Sequence, residues 1–256
     1  MHIDYFQLKE IQALFHFESR TVIFLVILSI LFCVAEGVSA LGTAPDAPST
    51  DTAAQGLRFL KKLEAKYKDT LTFYGEFHQK KISTLFLEEI DSRGQFWYQK
   101  PGRFRCEYLP PNQQVNLILD EVAYIYIPEI KQVEIYRFKP QDSPVKKLNQ
   151  MLLGFGVSVK DVLEVYDVNA APEEENDSTF VLQFNMKKKE EGLNFDKIKI
   201  WVDKEKLQPL RLVFIEPEPN KDETRIEIKN LEFNKKLKAQ VFKPDFPRDA
   251  EVIEQN

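Results

Sequence analysis

The stretch Gly94–Tyr108, GQFWYQKPGRFRCEY, constrains the fold of this chain more than any other. It alternates on both sides of a break at Lys100-Pro101-Gly102. Phe96 and Tyr98 share one side of an extended segment, with Gln95, Trp97 and Gln99 on the other. Beyond the break, Phe104, Cys106 and Tyr108 point one way and Arg103, Arg105 and Glu107 the other. A period of two marks a strand with one buried face and one wet face. Parity puts Lys100 on the side of Phe96 and Tyr98, so its ammonium either reaches the rim or has a specific partner. On these residues alone, a plain β-hairpin in which Pro101-Gly102 supplies the turn accounts for the pattern equally well.

The same alternation recurs along the chain. Leu71, Phe73 and Phe77 oppose Tyr74, Glu76 and His78. Leu85 and Leu87 begin a second strand that Asp91-Ser92-Arg93-Gly94 is expected to turn. Val115, Leu117 and Leu119 alternate with Asn116 and Asp120, and Asp120-Glu121 turns into AYIYIP. KQVEIYRF carries Val133 and Ile135 inward. Later come TFVLQFNM, FDKIKIWVD, PLRLVFIE and TRIEIKNLEF, each with an apolar face and short polar connectors. Three segments have helical spacing instead: about Thr52 to Lys68, Pro144 to Phe155, and Ser158 to Tyr166, where Ser158 and Asp161 form an approximate capping box. Ala170 to Asp177 reads as a solvated loop. The sum is a mainly β chain with helices (α+β), in which a long curled antiparallel sheet must be plugged or covered by its helices, whose apolar faces have nowhere else to go.

Val22 to Ala35 is apolar, preceded by Arg20 and followed by Val38-Ser39-Ala40. It is short for a membrane span of roughly 20 residues and fits a signal h-region of about 7–15. Residues 1–40 are therefore expected to be a signal peptide cleaved after Ala40, 41–55 a flexible spacer rich in Ala, Pro, Thr and Ser, and 56–256 the folded domain. An uncleaved anchor is the alternative. Phe32 before Cys33 argues against a lipidated cysteine. Cleavage removes two of 35 basic and four of 40 acidic residues, leaving 33 and 36, a net charge of −3. That balance gives no pull towards nucleic acid. Cys106 is then the sole cysteine, and the core alone must stabilise the domain.

Catalytic groups are sparse. His78 is the one histidine beyond the leader, and it sits on the opposite face of the alternation from Cys106, so a nucleophile pair is disfavoured. No metal-ligand spacing, GxSxG or Gly-rich phosphate loop is present. The reading is a non-enzyme with no cofactor, metal or catalytic residue. Glu173–Glu175 reads as a solvated run. Phenylalanine, in contrast, is abundant at 20 residues. A sheet this wide with few helices against it suggests a partly unfilled apolar cavity, although an ordinary packed core remains the simpler account of any single residue.

An aromatic strand, Lys/Arg-Pro, a short turn and Arg-Phe resemble the LolA family of periplasmic outer-membrane lipoprotein carriers. The resemblance extends from about Leu57 to Val252 and includes the phenylalanine and glutamine of EFHQ, VNLILD before an aromatic strand and Pro128, and Phe242 before KPDFP. It implies an unclosed antiparallel β-barrel covered by an α-helical lid, with an apolar cavity for the acyl chains of lipoproteins. It further implies a monomer in the periplasm that takes cargo from an inner-membrane LolCDE-type ABC transporter and passes it to an outer-membrane LolB-type receptor. Cavity and lid positions carried over are Phe73, Phe77, Phe96, Tyr98, Lys100, Phe104, Cys106, Tyr108, Leu117, Leu119, Met151 and Leu152. Lys100 stands where the family commonly has an arginine that ties the lid, and a point charge replaces a planar fork. Glu121 stands where a glycine often follows the turn aspartate. The alternative function is a lipid- or lipoprotein-sensing regulatory module of similar half-barrel fold, as in RseB-like regulators.

Overall fold

The computed structural model describes residues 50–84, 88–139, 155, 158–187, 195–217 and 221–255. The expected leader, most of the spacer and the segment containing Met151 and Leu152 lie outside them. The first helix, α1 (Thr50–Tyr67), starts inside the expected spacer, with the Gln55 amide donating to Asp51 Oδ2 at 2.8 Å in its first turn. Phe59, Leu60, Leu63 and Tyr67 form its buried stripe, while Lys61, Lys62 and Lys66 are exposed. Burying four such side chains contributes on the order of 6–12 kcal/mol. A second helix, α2 (Val159–Val165), is capped as its sequence announces: Ser158 Oγ accepts from the Asp161 amide at 3.1 Å. Glu64 of α1 accepts from the Val159 amide at 2.8 Å and joins the two helices.

The strands are β1 (Thr72–Ser83), β2 (Glu88–Gln99), β3 (Arg103–Tyr108), β4 (Gln114–Leu119), β5 (Val122–Ile127), β6 (Gln132–Arg137), β7 (Tyr166–Ala170), β8 (Thr179–Met186), β9 (Lys197–Asp203), β10 (Pro209–Ile215), β11 (Glu223–Phe233) and β12 (Glu251–Gln255). They form one sheet in the order β12-β6-β5-β4-β3-β2-β1-β11-β10-β9-β8-β7. Its first and last strands do not pair, so the barrel is unclosed. All pairings are antiparallel except β12 on β6.

Three local expectations change. Asp91–Gly94 is no turn, because β2 runs unbroken from Glu88 to Gln99 against β1. Gly94 is instead a point of close approach: a Cβ there would lie 2.2 Å from Glu107 O and 2.5 Å from Phe77 Cζ. Leu71 precedes β1 and is 63 % exposed. The C-terminal segment crosses the outer face of the sheet and adds β12. Phe246 packs on Tyr124 and Tyr126, Arg105 Nη1 donates to Val241 O at 3.2 Å, and Phe242 is buried. That cover inverts the third expectation, because Val133 and Ile135 belong to the outer face while their neighbour Tyr136 points in with Ala123. With apolar side chains on both faces, alternation no longer says which face is inside. The Asp120-Glu121 turn survives without glycine, since only Asp120 takes a positive φ, 52°, and Leu119 pairs directly with Val122.

Candidate functional site: an apolar cavity

Two hydrophobic clusters occupy the inner face. One lies beneath α1 and α2 against β7–β10, and the other covers β1–β6. A cavity of about 160 Å³ opens at their seam. Its walls are Phe73 and Phe77 of β1, Phe96 of β2, Phe104 and Cys106 of β3, Ile200 of β9, and Pro209, Leu212 and Phe214 of β10. Ile226, Ile228, Leu231 and Phe233 of β11 complete it with Phe155. Every lining side chain is apolar or a thiol, so the cavity offers desolvation and shape with no polar chemistry.

Two cross-strand pairs shape it. Gly75 of β1 faces Phe96 of β2, and Gly94 of β2 faces Phe77 of β1. A Cβ on Gly75 would lie 2.6 Å from Phe96 Cζ, so each ring lies over the glycine of the neighbouring strand. Phe73 sits amid this wall, stacked on Tyr98 at 4.6 Å between centroids and edge-on to Phe96 and Phe233. At the rim, Tyr67 of α1 contacts Phe155 and Phe233, and its hydroxyl donates to Leu207 O at 2.8 Å.

Five of the positions named from sequence line the cavity: Phe73, Phe77, Phe96, Phe104 and Cys106. Tyr98 and Tyr108 stand behind them in the same cluster. Burial pushes the Tyr98 phenol up to about 12, and Tyr108 donates to Gln79 Oε1 at 3.3 Å. Lys100 is at the rim, where Nζ donates to Lys68 O at 3.4 Å, just past the C-terminus of α1. A cation there also meets the negative end of the helix dipole. Leu117 and Leu119 lie apart from the cavity. They pair with Arg105 and Arg103 and share the outer face with them, whereas Ile118 pairs with Phe104 and points in. Met151 and Leu152 fall outside the described residues.

The parity of β9 and β10 pointed to Ile200, Leu212 and Phe214 as inward but not as a cavity wall. Leu231 and Phe233 were hidden by a bulge. Tyr74 pairs with Glu232 and Glu76 with Lys229, so β11 carries an extra residue, and Asn230 takes φ 50°. A bulge flips parity, letting even-numbered Ile228 and odd-numbered Phe233 face the same way.

Burial, then the neighbouring Glu107 carboxylate, pushes the Cys106 thiol up, which keeps it protonated and inert. His78 is on the outer face, with Nε2 2.7 Å from Asp91 Oδ2. The two groups of a Cys–His pair are thus on opposite sides of the sheet. Glu174 pairs with Lys199, and Glu175 with Lys204 at 3.4 Å. Among the described residues, no group of three or more His, Cys, Asp or Glu is placed to hold a metal ion, and no helix is long and apolar enough to cross a membrane.

Fold and site together define an unclosed, mainly antiparallel half-barrel with helices on its inner face and a purely apolar cavity between its strands. The family described as outer membrane lipoprotein carrier protein LolA matches residues 68–245, and the chain belongs to that family. An outer-membrane lipoprotein carrier protein of Chromohalobacter salexigens is 23 % identical over 214 residues, covering 84 % of this chain and 94 % of its own length. Among solved structures, an uncharacterized conserved protein from Thermus thermophilus has a TM-score of 0.47 at 15 % identity, covering 79 % of this chain and 99 % of its own. A LolA superfamily protein from Nitrosomonas europaea has a TM-score of 0.39 at 11 % identity, covering 73 % and 97 %.

Proposed function

We propose that this chain is a periplasmic carrier that binds the acyl chains of lipoproteins in its apolar cavity and moves them from the inner membrane to an outer-membrane receptor. The observation that carries the reading is a seam cavity walled by aromatic and aliphatic side chains, in a chain of the LolA family. Each methylene exposed to water costs about 0.8 kcal/mol, so a lipidated protein does not cross an aqueous compartment unaided. An apolar cavity removes that cost without a catalytic group, and the protein acts as a carrier and not as an enzyme. At about 160 Å³ the cavity is below the roughly 300–1,000 Å³ of sites that enclose a drug-sized ligand, so loading requires its walls to part. The bond from Lys100 Nζ to Lys68 O ties the end of the first helix to the β2–β3 turn.

By extension from the family, a LolCDE-type transporter supplies the cargo and a LolB-type receptor accepts it. The exported protein begins at Leu41 after signal cleavage, and N-terminal sequencing of protein from the native host checks this directly. The binding test uses protein from residue 41 onward and pairs of acylated and unacylated peptides of one sequence. Displacement of a fluorescent fatty-acid probe by the acylated member alone is the expected result. Equal displacement by both, or by neither, overturns the cavity reading. Acyl binding without transfer of a labelled lipoprotein to any receptor favours a sensing module instead.

A further inference from the structure

We propose that a band of polar side chains across the inner face of the sheet sets how deep an acyl chain enters the cavity, and so which chain length the protein prefers. The proposal rests on the carrier reading above. Along β1 the inner side chains run Phe73, Gly75 and Phe77, and then change to Gln79, Lys81 and Ser83. Buried polar groups follow on the neighbouring strands, along a diagonal of the register. Gln79 pairs with Ser92 of β2, and Lys81 pairs with Thr224 of β11, which in turn pairs with Phe214 of β10, two residues before Glu216. On the other side the diagonal steps back along the cavity wall: Tyr108 of β3, in register with Phe77 through Gly94, donates its hydroxyl to Gln79, and Asn116 of β4 pairs with Cys106.

These groups are buried: Lys81 and Gln79 are 4 % exposed, Thr224 2 % and Asn116 0 %. Lys81 and the carboxyl groups of Glu216 and Asp222 lie together in the band. Buried charge of this kind persists only when held by partners. The mouth is assigned to the opposite end, where Lys100 is half-buried and Leu71, just before β1, is 63 % exposed. An acyl chain therefore enters beside Phe73 and Phe233 and points its methyl end at Gln79. Phe73 to Gln79 is six residues of strand, or roughly 20 Å. Up to that depth each added methylene tightens binding about fourfold, the equivalent of about 0.8 kcal/mol. Past it, hydrocarbon meets bonded polar groups and displaces their partners, which costs more than a methylene contributes.

The experiment is a probe-displacement titration of saturated N-acyl peptides from octanoyl to stearoyl. In the natural protein, affinity is expected to rise with length and then break to a plateau. The double variant Gln79→Met/Tyr108→Phe removes both partners of one hydrogen bond together, and Thr224→Val removes a hydroxyl at constant shape. In each, the break should move to longer chains, with cooperative urea unfolding retained. Affinity that climbs without a break in the natural protein, or a break at the same length in either folded variant, overturns the proposal. Those outcomes leave the carrier reading intact, whereas no binding at any length overturns both.

Discussion

Replacing the two wall glycines with alanine should give opposite results, because the atoms each new methyl would meet differ. At Gly75 the nearest atoms are Phe96 Cζ at 2.6 Å, Phe96 Cε1 at 2.9 Å and Leu231 Cδ1 at 3.2 Å, all side-chain atoms of the cavity wall. The ring can swing, and open space lies on the cavity side. An off-rotamer ring costs about 0.5–1.5 kcal/mol, and replacing glycine within a strand returns about 0.5–1 kcal/mol, so stability should stay within about 1 kcal/mol. The ring then occupies part of a cavity of only about 160 Å³, and acyl affinity should fall several-fold. At Gly94 the nearest atom is the backbone oxygen of Glu107 at 2.2 Å, on the paired strand β3. That atom moves only if β2 and β3 separate, so Gly94→Ala should cost about 1–3 kcal/mol or more, a loss of roughly 2–12 °C in Tm. Urea and thermal unfolding measure the first quantity, and displacement of a fatty-acid probe the second. Gly94→Ala as stable as the natural protein, or Gly75→Ala binding with undiminished affinity, would refute the claim that these glycine–phenylalanine pairs shape the wall.

Three further tests address other parts of the site. Phe104→Glu puts a carboxylate on an apolar wall and should abolish acyl binding, while Arg103→Glu, exposed on the opposite face, should bind normally; the reverse result in a labelled-lipoprotein transfer assay inverts the face assignment. Lys100→Leu removes one long bond to Lys68 O, worth about 0.5–1 kcal/mol, and should speed amide exchange at the end of α1 about two- to fivefold; unchanged exchange would place the tie elsewhere. Burial pushes the Glu216 carboxyl up to about 7, with Lys81 opposing and Asp222 adding to the rise. The folded state then holds a proton that the unfolded chain has released, so stability should fall as pH rises from about 4.5 through 7. The loss is on the order of 3 kcal/mol at most, and Glu216→Gln should flatten this part of the urea-midpoint profile.

Much of this protein was legible from local pattern. Alternation alone oriented Phe73 and Phe77, Phe104 and Cys106, and Leu182 and Phe184, because each lies on a strand with one apolar face. Spacing and a serine cap announced α1 and α2, and KPGRF marked the hairpin around which the family likeness gathered. Tertiary structure decided the rest. Gly94 reads as a turn until Phe77 is seen to need its missing side chain. Val133, Leu117 and Leu119 read as inward until the C-terminal segment is seen to cover the outer face, giving those strands two apolar sides. Leu231 and Phe233 reach the cavity only because the bulge at Asn230 reverses parity. In each case alternation reports only how a strand divides its two faces, whereas the paired strand or covering segment that decides which residues fill the interior comes from elsewhere in the chain.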